Sequence, residues 1–381
     1  MKYKLRLSIY VFFGLLGIVF FLPQTGVGEF FYQINQWWIC ILIRSFILAF
    51  LLCPLVEIFG TKYKFLDYPD QRKIHETPIP RIGGMAIYLT FIVMVVRYIP
   101  FYNELIALLI GASIIYLIGM LDDMRGLPAF VKLGGQLMAS SVLIYSGITI
   151  DFVPHMPGEK LIEILITYIW LIGITNAINF LDGINGLCSG IGIMCSLLFL
   201  VLSWGLRQGG VALATVVLAG ACFGFLPYNF KFWREERRAS LFLGDEGSTL
   251  IGFILASVAA IGSWAENNTV VALSTPLLIL GIPIFDMIYT TISRVKNGLV
   301  HSVKEWLDFV GKDHFHHRLV NLGFKQKGAV LFILSLNLCL GLSAVIIPMA
   351  GSAGAVLLLC QALIIFLIIV KLMLLGKNNS N

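Results

Sequence analysis

The chain has 381 residues and a formal net charge of +6, with 58% hydrophobic and only 13% charged residues; its mean hydropathy is +0.89. A soluble domain is about 45–50% apolar and about 25% charged, so the composition excludes one and describes a polytopic membrane protein. The basic excess then reports topology and affinity for the lipid bilayer's anionic headgroups, with no nucleic acid partner implied.

At about 20 residues per span, this length allows roughly twelve helices and little separate soluble structure. Apolar runs fall at about 7–23, 37–59, 83–99, 104–121, 131–150, 161–181, 187–206, 211–229, 248–264, 270–293, 329–348 and 354–375. Basic Met1–Arg6 opens like a signal peptide, but no A-x-A-like cleavage site follows, which predicts an uncleaved first span. The expected organisation is an additional N-terminal span and outside loop over 1–36, a membrane domain over 37–376 and a short tail over 377–381. The fold class is therefore an all-α polytopic integral membrane protein of about 11–12 transmembrane helices with cytoplasmic catalytic loops. With a cytoplasmic N-terminus, 22 of the 27 Lys and Arg lie on inner segments, and the outer loops keep only Lys160 and Arg207. That asymmetry fixes the orientation by the positive-inside rule. The seven cysteines lie within or beside apolar runs without a C-x-x-C pair, which predicts small buried hydrophobes, not a disulfide framework or zinc site.

Every polar cluster falls on the basic side. The first is Leu66–His75, running on to Pro78–Gly84 and carrying Arg72, Lys73, His75 and Arg81, with Pro69, Pro78 and Pro80 to stiffen it. Asp122 and Asp123 end the fourth span, followed by Lys132. Adjacent carboxylates point about 100° apart on a helix, so they serve two neighbouring positions of one site. Like charges side by side need a cation or basic groups nearby. A hard cation such as Mg²⁺ bridges carboxylates to substrate phosphates. A solvated loop start is the structural alternative.

The organising stretch is Asn176–Leu187, between two apolar runs. Asn179, Asp182 and Asn185 recur every three residues, a spacing that shares one helical face. Its structural reading makes Asn179 and Asp182 caps of a helix beginning near Gly183. An ionisable residue at a membrane span points to a functional site. Asp245 then lies between Gly244 and Gly247 ahead of the ninth span, where backbone N–H groups can cradle a phosphate and Ser248 can cap the helix. In the tenth span, Asp286 lies eight residues before Arg294, either as its ion-pair partner or as a support for the site. The last cluster holds Lys312, His314, His316, His317 and Arg318. Its spacing suits zinc poorly and a diphosphate well, with Arg318 as a bidentate donor. Carboxylates, Mg²⁺ and basic groups at one bilayer surface form the inventory of phosphoryl transfer, with a lipid as one substrate.

These motifs resemble the polyprenyl-phosphate N-acetylhexosamine-1-phosphate transferases, enzymes that move a sugar phosphate from a UDP-sugar to a polyprenyl phosphate. The resemblance spans about residues 37 to 375 and rests on five ordered motifs: R-K-x-H…P-x-P-R-x-G-G, L-D-D, N-x-x-N-F-x-D-G-x-N-G-L, F-L-G-D-x-G-S and H-x-H-H-R-L. It implies Asp122 and Asp123 at the catalytic centre, Asp182 and Asp245 near Mg²⁺ or Mn²⁺, and Asn179 and Lys132 on substrate. Asn185 falls in the same substrate-binding group, although many bacterial members carry Asp there; Asn keeps an oxygen ligand and loses a charge. His314, His316, His317 and Arg318 would hold the diphosphate or sugar. The resemblance further implies a bacterial inner membrane location, often a homodimer, and a start to lipid-linked O-antigen, teichoic acid or exopolysaccharide synthesis. The histidine loop differs from the three consecutive histidines of the phospho-MurNAc-pentapeptide branch and favours a UDP-GlcNAc donor.

Two other classes compete. A transporter or flippase for a lipid-linked or anionic substrate would place charge near the bilayer midplane, whereas these span centres are apolar apart from Arg44. A prenyltransferase would want repeated D-x-x-x-D patterns, which Asp122-Asp123 does not supply.

Overall fold

The computed structural model describes residues 36–68, 77–98, 103–151, 158–230, 239–265, 268–309, 311 and 313–378. The predicted 7–23 span and Arg72, Lys73, His75 and Lys312 lie outside the described residues. The helices are α1 (Trp37–Lys62), α2 (Gly84–Tyr98), α3 (Asn103–Arg125), α4 (Ala129–Tyr145), α5 (Glu159–Phe180), α6 (Leu187–Gly205) and α7 (Gly209–Asn229). They continue as α8 (Gly244–Ile261), α9 (Thr269–Ile279), α10 (Gly281–Lys296), α11 (Val303–Asp308), α12 (Phe315–Asn321) and α13 (Gln326–Asn378). Between α1 and α2, β1 (Leu66–Asp67) pairs antiparallel with β2 (Ile79–Pro80). Helices dominate because inside a bilayer each backbone N–H and C=O must be satisfied within its own segment.

Among the described residues, seven helices are long and apolar enough to span, or eight if the bent α9–α10 pair counts as one; α2 and α4 are shorter apolar helices. Helices α6, α7 and α8 are the most enclosed and α13 the least. Helix α8 packs on α2, α3, α5, α6 and α7, which makes it the central element. Close crossings allow this. A side chain at Gly84 would strike the backbone of Gly247, and one at Gly119 would lie 2.5 Å from Glu246 Cα. Arg44 is buried in α1, with its guanidinium on the Tyr98 hydroxyl and 5.4 Å from that ring's centroid.

Two predicted spans differ in shape from plain helices. The 270–293 run breaks into α9 and α10, bent by 78°. Pro283 lacks the N–H that would bond the Ile279 carbonyl one turn earlier; the Cys195 thiol donates to that carbonyl instead, at 3.2 Å. The last two runs, joined in α13, are two helices that meet at a kink at Gly351, whose φ of 67° and ψ of −169° are not helical.

Candidate active site

The site forms where helix ends meet on one side of the bundle. The chain before α2 is tied to the chain before α8 by three backbone bonds: Phe242 N–H to Pro80 O (2.8 Å), Gly83 N–H to Phe242 O (2.8 Å) and Gly84 N–H to Leu243 O (2.9 Å). This seam brings Arg81 beside Asp245. The Arg81 guanidinium spans two carboxylates, with Nε 3.0 Å from Asp123 Oδ1 and Nη2 2.9 Å from Asp245 Oδ1. Burial opposes its charge, but Asp123, Asp245 and Asp182 outweigh that and raise the Arg81 pKa.

The adjacent carboxylates of α3 take different partners. Asp122 accepts from Leu127 N–H at 2.7 Å and pairs with Lys132 Nζ at 2.8 Å. Lys132 also reaches Asp245 Oδ2 at 3.8 Å. Asp123 Oδ2 accepts the Glu246 N–H at 3.0 Å. The N–H at the start of α8 thus serves Asp123, where the sequence suggested a phosphate cradle. Glu246 is buried and its Oε1 accepts the Met85 N–H at 3.1 Å, tying α8 to the start of α2.

The capping readings need correction. Helix α8 begins at Gly244, four residues before Ser248, and no side chain caps it. Ser248 lies within the first turns, donating to Gly244 O at 3.1 Å and accepting from Asn179 Nδ2 at 2.8 Å. Helix α6 begins at Leu187 behind Gly186, whose φ is 82°, again with no side-chain cap. Neither Asn179 nor Asp182 caps it; Asn229 Oδ1 accepts the Gly186 N–H at 2.7 Å. Helix α5 ends at Phe180, so Asn179 is helical while Asp182 and Asn185 occupy the following turn, both partly buried. The three therefore do not share one helix face. Burial raises the Asp182 pKa well above the usual carboxylate range, and the Asp245 charge adds to it.

A cavity of about 320 Å³, lined by Asp122, Lys132 and Asp245, lies between α3, α4, α5 and α10. Its walls are largely apolar, with Trp306 and Phe309 on one side. Its polar wall includes Gln136 and Asn176, whose amides bond each other at 2.8 and 3.2 Å. Sequence reasoning missed these two. Gln136 follows Lys132 by four and Asn176 precedes Asn179 by three, the spacings that share a helix face.

The histidine loop approaches from the other side. His314 is buried, with Nδ1 2.9 Å from Asp286 Oδ2 and Nε2 3.2 Å from Arg294 Nη2. The suggested Asp286–Arg294 ion pair is not formed. Arg294 instead forks onto Asp313 at 2.8 and 2.7 Å. Against the effect of burial, that fork holds the Asp313 carboxyl below its ordinary pKa. His316 is fully buried against Gly183, and neither ring nitrogen has a hydrogen-bond partner. Burial, then His317 and His314, hold it neutral, well below the usual histidine pKa. His317 lies against it with ring centroids 4.1 Å apart. Arg318 Nη2 donates to Ser293 Oγ at 3.2 Å, and its guanidinium lies 4.8 Å from the Tyr289 ring centroid.

Among the described residues, no three His, Cys, Asp or Glu groups converge to hold a metal ion unaided. The donor set that does gather is oxygen-only and crowded with negative charge. It suits a hard cation whose coordination is completed by phosphate oxygens.

A helical membrane bundle with carboxylates, Lys and Arg at one rim is the class of protein that this fold and site define. Residues 105–263 match the model of glycosyl transferase family 4. The chain is 32% identical over 325 residues to a decaprenyl-phosphate N-acetylglucosaminephosphotransferase of Mycobacterium leprae, covering 76% of this chain and 79% of that protein. It is 30% identical over 249 residues to an undecaprenyl-phosphate alpha-N-acetylglucosaminyl 1-phosphate transferase of Thermotoga maritima, covering 65% and 72%. A phospho-N-acetylmuramoyl-pentapeptide-transferase of a Geobacillus species is 30% identical over 251 residues, covering 60% and 76%. The chain belongs to the glycosyl transferase family 4 phosphotransferases. The family match includes Asp122, Asp123, Asp182 and Asp245 and stops short of Arg81 and the histidine loop.

Proposed function

We propose that the protein transfers N-acetylglucosamine 1-phosphate from UDP-GlcNAc to a polyprenyl phosphate, releasing UMP, at the cytoplasmic face of a bacterial inner membrane. One observation carries this reading: Lys132, Asp122 and Asp245 meet in the wall of a largely apolar cavity. A lipid phosphate needs just such a junction, with charge for its head and an apolar wall for its first prenyl unit.

In this reading the lipid phosphate lies by Lys132 and Asp122 (the pair to Asp122 is 2.8 Å). One of its oxygens attacks the phosphorus attached to the sugar. A P–O bond forms there, the bond to the UMP oxygen breaks, and UMP leaves with the electron pair. The sugar C1–O bond stays intact, so anomeric configuration is retained. A phosphate monoester has a second pKa of about 6, so the nucleophile is already largely anionic. Asp122 or Asp123 takes the last proton and orients the phosphate. Bound Mg²⁺ would be held by Asp182 and Asp245 with phosphate oxygens, where it would neutralise charge on the donor's diphosphate as UMP departs.

The test uses purified protein, Mg²⁺, undecaprenyl phosphate and a panel of UDP-sugars, with UMP release measured. Release with UDP-GlcNAc, dependent on the lipid, is expected; no release with any donor overturns the proposal. For the orientation, a cysteine at position 245, where the side chain is 26% exposed, should label in a cysteine-depleted variant only once the inner face is exposed.

A further inference from the structure

We infer that Asp286, a residue of the bent helix α10 outside the acidic cluster, is a positioning residue: through His314 it holds the 313–318 loop so that the free imidazole of His316 faces the Asp182–Gly183 turn. The inference rests on the proposed transferase reaction only for what His316 then touches.

The hydrogen-bonding directions decide the arrangement. A guanidinium donates and never accepts. With Arg294 Nη2 3.2 Å from His314 Nε2, that nitrogen must be the acceptor. The ring proton is then on Nδ1, donated to Asp286 Oδ2 at 2.9 Å. The other Asp286 oxygen accepts the Phe315 N–H at 2.7 Å and the Thr290 hydroxyl at 3.3 Å. One fully buried carboxylate therefore fixes a side chain and the next backbone N–H of the loop. Arg294 grips the residue before, through its fork to Asp313. Phe180, at the end of α5, packs 4.9 Å from the His314 ring. With both nitrogens engaged, His314 has no atom left for a substrate.

The contrast with His316 gives this anchor its purpose. His316 is as deeply buried, yet neither nitrogen is bonded, and its ring fills the space that a side chain at Gly183 would need. A buried polar group without a partner is destabilising, so something must hold the ring there. The Asp286–His314 link supplies the hold, and His316 is left to hydrogen-bond the UDP-sugar beside Asp182.

Asparagine cannot replace Asp286. Its amide NH₂ would face either the Phe315 N–H or a His314 ring whose other nitrogen already meets a donor. In the full-length protein, Asp286→Asn should raise KM for UDP-GlcNAc on the order of tenfold and leave KM for undecaprenyl phosphate unchanged. Added to His316→Ala, it should cost little more, because both changes remove one function. Independent, multiplying effects, or equal effects on both substrates, would overturn the inference. Should Asp286→Asn not fold, His314→Asn and His314→Gln decide the matter. Asn keeps a donor on the Asp286 side and Gln only a group on the Arg294 side, so Asn should retain most activity and Gln little; the reverse order refutes the link. Nitrogen-15 histidine spectra provide a readout free of turnover. His314 should show the Nδ1–H tautomer, and either Asp286→Asn or His314→Gln should shift the His316 signals. Unmoved His316 signals would overturn the inference even in a protein that proves inactive with every donor, whereas inactivity alone would overturn only the proposed reaction.

Discussion

Replacing Arg81 with alanine tests how the acidic cluster is held together. The guanidinium is 42% exposed, whereas the Asp123 side chain it pairs with is 3% exposed. Removing one partner of a fully buried pair costs about 3–5 kcal/mol, and removing one from an exposed pair roughly 0.2–1 kcal/mol. With one partner buried and the other open to water, about 2 kcal/mol is expected. If that cost falls on the site, kcat/KM for UMP release drops about thirtyfold, and the protein melts at a lower temperature. Lysine should recover only part, because a single ammonium cannot meet Asp123 and Asp245 from two nitrogens. Adding Asp123→Asn to Arg81→Ala should restore stability and not activity, since the uncompensated buried charge is gone while a carboxylate is lost. An Arg81→Ala protein with wild-type melting and kcat/KM within about threefold of wild type would show that the bridge does nothing.

Asp182→Asn should abolish activity while stabilising the metal-free protein. The folded-state pKa of Asp182 is raised, so the native state favours the protonated form. It is increasingly penalised as pH rises above the unfolded value of about 3.9. The neutral amide escapes that penalty: the variant should melt above wild type at neutral pH, with the gap closing as pH falls towards about 4. A pH-independent gap in thermal-shift curves refutes it. Gly244→Ala should lose more stability than Gly126→Ala. Both glycines have positive φ (80° and 64°), but a Cβ at 244 would lie 2.7 Å from Asp123 Oδ2, whereas one at 126 meets nothing within 4 Å. Left-handed strain alone costs about 1–2 kcal/mol, so equal melting losses would remove the steric argument. Labelled UMP should not exchange into UDP-GlcNAc without lipid phosphate; robust exchange in delipidated protein, abolished by Asp123→Asn, would make Asp123 a covalent nucleophile.

The amino-acid sequence by itself determined the membrane class, the approximate spans and the gathering of the polar clusters at one side of the bundle. These follow from hydropathy and the placement of Lys and Arg, which are local quantities summed along one segment. It also marked Asp122, Asp123, Lys132, Asp182 and Asp245, because charge at the edge of an apolar run is conspicuous in one dimension. The break between α9 and α10 was not legible: the 270–293 run reads as one apolar span, and the 78° bend and the Cys195 bond that completes it are tertiary. Partners were not legible. Arg81 reaches Asp245 across 164 positions of sequence, and it does so because Gly84 and Gly119 let α2 and α3 approach the α8 backbone. Among the histidines, type and spacing gave His314 and His316 the same promise. Only packing separated them: Asp286 and Arg294, on a helix redirected by the break, occupy both nitrogens of one ring and leave both nitrogens of the other unpaired. Hydrogen-bond saturation depends on which donors and acceptors meet in three dimensions, and no pattern along the chain encodes that meeting.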